Sequence, residues 1–428
     1  MSATQTNVEY ERGLPGLSSA KLYQYLSEIC RMGTIWPGSP VEVEVRDYFY
    51  EKFNSAGLQN VRTEAFEYRN YKPISSQLAI IAPLTKNLTC EPLEYSANGE
   101  LEGEIIYVGL GSEADFTAMA QSGADFQGKI VMAKTNWSYF AYPQAEKWGA
   151  AGVIIVTDAP DRLIRYNSAR YGLRDGESMQ QYEGSIPGVL IPVEEADTLW
   201  CLLSLGPVRV RLSHEGKFTM SVSWNVVGEV SGTISPEKKV AIGSHYDTQL
   251  AGGAWDNAVG GAGLLELARV MAPLHPRRTV VFCAFSCEEV GLLGSAAYVE
   301  RHQSDMTNYV AYINLDSTSA ATAPIHQLFV TSKIRDFALR TIQKELNWRI
   351  DKFQDITPKE YFCDYVAFLK QGVEIIWASE QGNPYFHTKG DTIEMIDPER
   401  LNIATAANGL CLFKLAYMKD LPFPAEKN

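Results

Sequence analysis

Residues 238–271 read KKVAIGSHYDTQLAGGAWDNAVGGAGLLELARVM, residues 277–302 read RRTVVFCAFSCEEVGLLGSAAYVERH, and residues 309–316 read YVAYINLD. Each stretch holds a short apolar run that stops at an acid or an imidazole. Val240–Gly243 precedes His245 and Asp247, Thr279–Phe285 precedes Glu288 and Glu289, and Tyr309–Leu315 precedes Asp316. Such runs, bounded by turn signals, read as buried parallel strands. In an open α/β sheet the ligand crevice lies beyond the carboxyl ends of the strands, so these side chains converge although they are far apart in sequence. Asp256 falls on the first strand-to-helix connection, ahead of a glycine-rich turn and an apolar helix. A fourth run, VEIIWAS at 373–379, leads into the loop EQGNPYFHTKGDT at 380–392, which holds His387.

Outward from this centre, strands alternate with helices. Apolar spacing at Leu22, Tyr25, Leu26 and Ile29 predicts a helix over 17–32, and a second runs from Pro40 to Ala56 with Gly57 past its end. NVRTEAFEY and SSQLAIIAP read as strands. From about Ser96 the texture changes: GELEGEIIYVGLG, GKIVMAKTN, AGVIIVTDAP and GVLIPVEEA are strand-like, with one clear helix, YPQAEKWGAA, among them. Between Gly99 and Ser213 there is no histidine, and this segment reads as a mostly β module without chemistry of its own. Residues 162–187, polar and rich in Tyr and Arg, read as a long exposed loop. SVSWNVVGEVSG returns the chain to the opening stretch. Beyond Asp316 come helices at Ile334–Leu346, near Tyr361–Gln371, and at Pro398–Met418. The expected fold is α/β, a mostly parallel central sheet with helices on both faces, interrupted by the β module. The division is 1–95 and 224–428 for the main domain and 96–223 for the insertion, as a chain of 428 residues exceeds one typical domain.

Composition narrows the function. With 46% hydrophobic and 21% charged residues the chain is an ordinary globular one. A net charge of −13 argues against nucleic acid or an anionic membrane as partner. The start, MSATQTNVEYERG, has neither the basic nor the apolar region of a signal peptide, and no run approaches membrane-spanning length. The seven cysteines are scattered, which fits buried thiols, and the expected compartment is the cytoplasm.

Five metal ligands stand out: His245, Asp256, Glu289, Asp316 and His387. Imidazole together with carboxylate favours zinc or a similar divalent metal over calcium. Two histidines and three acids suffice for two metals if one carboxylate bridges. A water between paired metals needs an acceptor for its proton, and Glu288, next to a ligand, is the natural general base. Asp247, two residues after His245, is placed to hold that ring's second N–H and fix its tautomer; Asp391 either does the same for His387 or caps the following helix. His214, His275, His302 and His326 read as surface or structural. There is no HExxH, GxSxG or P-loop, and the glycines at 252–263 lack the spacing of a dinucleotide site.

In that order along the chain, SHYDT, WDNAVGGAGLLELAR, FSCEEVGLLGSAAYV, INLD and FHTKGDT resemble the M28 family of dinuclear zinc peptidases, aminopeptidase Y type, over most of 224–428. The resemblance implies the zinc-peptidase fold, His245 and Asp316 on one zinc, Glu289 and His387 on the other, Asp256 bridging and followed by a cis Asp256–Asn257 peptide, and Glu288 as base. GKIVMAKTN, KWGAAGVIIVTDAP and IPGVLIPVEEA are similar to a protease-associated (PA) domain. Many relatives have Tyr immediately before the last His, where it helps stabilise the tetrahedral intermediate. Here Phe386 stands there, which makes Tyr385 the candidate for that role. Tyr365 likewise stands where many relatives have His.

The resulting expectation is a metallo-aminopeptidase acting on peptides with two Zn(2+) per subunit. Carboxypeptidase, deacylase or glutaminyl cyclase activity on the same scaffold are the rival chemistries. A non-catalytic binding protein is the rival of another class. Side-chain specificity and oligomeric state are not written in the sequence.

Overall fold

A computed structural model describes residues 14, 16–170, 183–357 and 363–423. The first two helices fall where the apolar spacing placed them. Ser19–Cys30 buries Leu22, Tyr25, Leu26 and Ile29, and Ser18 caps it by accepting the Lys21 N–H. Pro40–Ala56 has proline at its start and stops at Gly57, whose φ of 91° glycine adopts without a Cβ clash.

Across the central sheet the order is Lys352–Asp355, Ile325–Val330, Glu374–Gln381, Tyr309–Asn314, Ser235–His245, Arg278–Phe285 and Arg209–Val230. From Glu374–Gln381 through Arg278–Phe285 the strands run parallel. Antiparallel neighbours extend this core on both sides. Every residue of Arg278–Phe285 is buried, as a strand covered on both faces must be. Helices Ser19–Cys30, Pro40–Ala56, Val259–Met271 and Pro398–Tyr417 pack one face, and Leu293–Arg301 with Tyr365–Leu369 packs the other. The strands Ile325–Val330 and Lys352–Asp355 were not expected. Both are short: Lys352–Asp355 is a polar, mostly exposed edge strand, and Ile325–Val330, between it and Glu374–Gln381, is buried only over its last three residues, so neither carries a long apolar run.

The runs read as two strands at 60–68 and 75–83 are one, Gln59–Ala82, paired antiparallel with Arg209–Val230. Pro73 has no N–H to give a ladder and sits at a register shift beside Gly216, so the strand continues through it. One end of this ribbon lies in the parallel-strand half. The other pairs with Gly99–Tyr107, so a single 14-stranded sheet passes into the insertion. The expected division at 223/224 thus lies inside a strand.

The segment 96–223, expected as an insertion, carries parallel strands Gly99–Tyr107, Ile130–Lys134, Gly152–Thr157 and Gly188–Pro192. One helix was expected there; among the described residues three, Glu113–Gln121, Ser138–Lys147 and Val193–Leu205, accompany the strands. The first is held by a capping box between Ser112 and Asp115, on a segment too polar to show apolar spacing. The third begins directly where a buried strand ends at Pro192, which hides the change of period.

Of the expected exposed loop, residues 171–182 lie outside the described residues. Within the rest, 164–169 correct the expectation: Ile164, Arg165, Tyr166, Asn167, Ser168 and Ala169 are all buried. Tyr361 and Phe362, in the expected helix near 361–371, also lie outside, and the helix described there is Tyr365–Leu369. Ile334–Leu346 is a short α-helix, Arg335–Leu339, that widens into a π turn at Arg340–Glu345. Among the described residues no helix is long and apolar enough to cross a membrane.

Candidate metal centre

His245 is the last residue of its strand. Its Nδ1 lies 3.0 Å from the Asp247 backbone carbonyl and 3.7 Å from the Asp247 carboxylate. Donation from Nδ1–H to the carbonyl leaves Nε2 with a free lone pair. Asp247 thus holds the second N–H of the ring through its carbonyl, with its carboxylate farther away. The main chain orients the ring, and the carboxylate accepts the N–H groups of Glu288 and Glu289, each at 3.1 Å.

Asp256 sits in the turn Ala254–Ala258, and the Asp256–Asn257 peptide is cis. Asp391 corrects both readings made for it. Its carboxylate accepts the Trp255 N–H at 2.9 Å and the Asp256 N–H at 3.1 Å, while Asp397 caps the last helix. The glycines of the turn allow close approach rather than phosphate binding. A Cβ on Gly260 would lie 2.4 Å from the Leu315 carbonyl and 2.6 Å from Ser244 Oγ, so helix Val259–Met271 presses directly onto the strand ends.

The two carboxylate oxygens of Asp256 face opposite ways. Oδ1 is 3.1 Å from His245 Nε2, and Oδ2 is 3.2 Å from His387 Nε2. Asp316 Oδ1 stands 3.7 Å from His245 Nε2, and Glu289 Oε2 stands 3.2 Å from His387 Nε2. The five expected ligands thus form two buried groups, His245–Asp256–Asp316 and Asp256–Glu289–His387, sharing Asp256, with the ligand atoms of each group within 4.8 Å of one another. His245 Nε2 and Glu289 Oε1 are buried without a hydrogen-bond partner. Buried polar atoms are seldom left so. Atoms that face a common point without bonding one another, in a set of imidazoles and carboxylates, fit a divalent metal of the zinc type.

Burial pushes the Glu288 carboxyl well above the usual range, and the neighbouring Glu289 charge adds to this. Burial also raises Glu289. For His387 burial opposes the charged form, but Glu289 and Asp256 outweigh it and hold the ring up at about 10. The same contest raises His245, through Asp247, Asp256 and Asp316. A site this rich in anions exchanges those protons for a cation.

Sequence reasoning missed four participants. Cys363 points its thiol at Asp316 Oδ2, 3.0 Å away, and forms a further buried group with Glu288 and Asp316. Gln249 Nε2 donates to Glu289 Oε2 at 3.0 Å. Tyr166 offers its carbonyl to His387 Nδ1 at 3.2 Å, and Arg165 binds the carbonyls of Phe386 and Pro384. Tyr166 and Arg165 belong to the segment read as exposed. Tyr385 is not brought to the site. Its hydroxyl donates to Asp161 at 2.7 Å, and Phe386 lines the cavity in its stead. Tyr365 is buried, with its ring centre 5.9 Å from that of Trp377. His214 is buried against the Tyr71 hydroxyl and His302 pairs with Glu64, both away from the site.

A cavity of about 590 Å³ opens onto the two groups. Its walls are aromatic: Phe329 stacks on Trp377 with centroids 4.2 Å apart, and Trp137 and Phe140 come from the insertion. Arg165 is the one Arg or Lys among the described lining residues.

Residues 225–409 match the family model described as Peptidase family M28. A "Probable glutamate carboxypeptidase" of Arthroderma benhamiae is 25% identical over 403 residues, covering 69% of this chain and 55% of its own length. "Aminopeptidase YwaD" of Bacillus subtilis is 27% identical over 324 residues, covering 71% and 65%. The chain therefore spans between half and two thirds of the length of these relatives. The structure of an aminopeptidase from Aneurinibacillus sp. strain AM-1 superposes with a TM-score of 0.73 at 24% identity, over 96% of this chain and 97% of the other. That likeness is one of fold.

Proposed function

We propose that the chain, whose residues 225–409 match the model of Peptidase family M28, is a metal-dependent exopeptidase, an aminopeptidase hydrolysing the N-terminal peptide bond with zinc. The observation that carries this reading is the Asp256 carboxylate, with one oxygen toward His245 and the other toward His387, beside the buried Glu288. His245 and Asp316 would hold one metal, Glu289 and His387 the other, and Asp256 would be shared. When bound, such a pair supplies Lewis acidity to a carbonyl oxygen and lowers the pKa of a water.

The chain's own residues do the rest. Nδ1 donation to main-chain carbonyls keeps His245 and His387 in the tautomer that leaves Nε2 available. Glu288, whose carboxyl is raised by burial, takes the proton of the attacking water. As the C–O bond forms and the C–N bond breaks, Glu288 returns that proton to the leaving amine. The aromatic walls seat an apolar side chain and exclude bulk water. Residues 96–223 form the protease-associated-like insertion that supplies part of those walls. All seven cysteines are free thiols, which supports a reducing compartment such as the cytoplasm.

A carboxypeptidase is the second reading, favoured by Arg165, a buried cation in the cavity lining that could meet a substrate carboxylate. It ranks second because two of the Arg165 nitrogens are already bound to backbone carbonyls. Free and N-acetylated peptides separate the two, because an aminopeptidase rejects the blocked N-terminus. For the chemistry itself, Glu288→Gln should keep its zinc and lose hydrolysis by about 100-fold or more. Near-normal turnover by a zinc-loaded Glu288→Gln enzyme overturns the assignment.

A further inference from the structure

His387 has a φ of 57°, in the left-handed region that side-chain-bearing residues rarely adopt. Such a residue persists only where its surroundings hold it there. The hold comes from the insertion. The Tyr166 N–H donates to the His387 carbonyl at 2.8 Å, and His387 Nδ1 donates back to the Tyr166 carbonyl at 3.2 Å. Next to it, the Arg165 guanidinium grips the same loop. Nη1 donates to the Phe386 carbonyl, Nη2 to the Pro384 carbonyl at 2.9 Å, and the guanidinium lies 5.5 Å from the Phe386 ring centre.

Arg165 is itself 5% exposed and makes no ion pair among the described residues. A buried cation of this kind is costly unless its hydrogen bonds repay the loss of water. Here they go to the two carbonyls flanking Tyr385, just ahead of His387. The other side of the segment is fastened within the insertion. Asn167 Nδ2 donates to the Asn136 carbonyl at 2.8 Å, Ser138 Oγ to the Ser168 carbonyl at 2.7 Å, and the Ala169 N–H to the Glu94 carbonyl at 2.7 Å.

We infer that Arg165 is a positioning residue for His387, so that the metal position at Asp256–Glu289–His387 is completed by the inserted module. The inference rests on the metal reading above and goes beyond it by making the module part of the metal site. Its effect runs through the loop 384–387 and not through contact with substrate. The His245–Asp256–Asp316 position shares none of these bonds.

The test is zinc affinity, measured without substrate by competition against a chelating dye, for the wild type, Arg165→Met, Arg165→Lys, His387→Ala and the Arg165→Met/His387→Ala double variant. Arg165→Met should retain one zinc at wild-type affinity and bind the second about 10–100-fold more weakly. Arg165→Lys, which can still reach one carbonyl, should fall between. In the His387→Ala background Arg165→Met should cost nothing further, because both act on one position. Excess zinc should restore peptide hydrolysis to Arg165→Met, which it would not do for a residue that touches substrate. Two zincs at wild-type affinity in Arg165→Met, or a loss that adds in full to that of His387→Ala, overturns the inference. Should Arg165→Met fail to fold, Arg165→Lys decides by the same split. A wild type that binds no zinc would instead defeat the metal reading.

Discussion

The Asp247 carboxylate binds the main chain of Glu288, its Oδ1 accepting the Glu288 N–H at 3.1 Å while Oδ2 accepts the next N–H, that of Glu289, at the same distance. One side chain at the end of the strand Ser235–His245 thereby fixes the turn after its neighbour Arg278–Phe285. The proposed base and a proposed ligand both depend on that turn. Asp391 does the same for Trp255 and Asp256. The centre is thus braced by carboxylates that never face the metal positions.

Removing the Asp247 carboxylate should therefore act on turnover more than on the neighbouring imidazole. His245 is held by the Asp247 main chain, which Asp247→Ala keeps. Asp247→Ala is expected to lower kcat by about 100-fold and weaken zinc binding by about 10-fold, with Asp247→Asn milder because one acceptor oxygen remains. Steady-state kinetics together with metal analysis read both effects. Unchanged kcat would show that the turn holds itself.

Tyr385→Phe should be nearly silent. The hydroxyl it removes bonds Asp161 at the surface and not the cavity. We expect kcat within about 2-fold of wild type and a stability loss below about 1 kcal/mol. A drop of 100-fold in kcat would return Tyr385 to the chemistry.

Stripping the metal leaves Asp256, Glu288, Glu289 and Asp316 buried together, and like charges in low dielectric repel. Zinc should therefore raise the unfolding midpoint in proportion to the logarithm of its free concentration. Differential scanning calorimetry in a chelator and in buffered zinc checks this. His245→Ala and His387→Ala should each flatten the response.

Glu94 provides a pH signature. It is fully buried with neither carboxylate oxygen bonded, and burial, aided by the Glu289 charge, lifts its carboxyl from 4.5 to about 8. Between those values the folded chain keeps a proton that the unfolded chain has lost. Stability from this group is therefore present below pH 4.5 and falls as pH rises through 8, by up to about 1.4 kcal/mol per unit. Glu94→Gln should unfold at higher denaturant than wild type at pH 8, with the gap closing toward pH 5. A gap independent of pH would mean that Glu94 is not the group responsible.

Much of the centre was legible in the primary structure because buried parallel strands write themselves as continuous apolar runs. The residues just past each run are then aligned by the topology. That is how His245, Glu289, Asp316 and His387 could be named together without a contact map. Three signals misled. Pro73 divided one long strand into two readings, because proline breaks a ladder only where its N–H is needed. Polarity made 162–170 look solvated, yet Arg165 and Asn167 are buried with their polar atoms on backbone carbonyls. The resemblance, with Phe386 in the place where relatives have Tyr, pointed to Tyr385 one residue earlier, but the Tyr385 hydroxyl goes to Asp161 and Phe386 lines the cavity.

By itself the sequence determined the α/β fold, the strands that end at the candidate donors and the choice of those candidates. These follow from local periodicity and residue chemistry. Only the tertiary structure decided how the donors are aimed. That Asp256 faces both imidazoles, that Asp247 braces Glu288 rather than His245, and that Tyr166 orients His387 are all contacts between segments distant along the chain. Distances of about 3 Å between such segments are set by the packing of whole strands and helices, and no local pattern of residues encodes them.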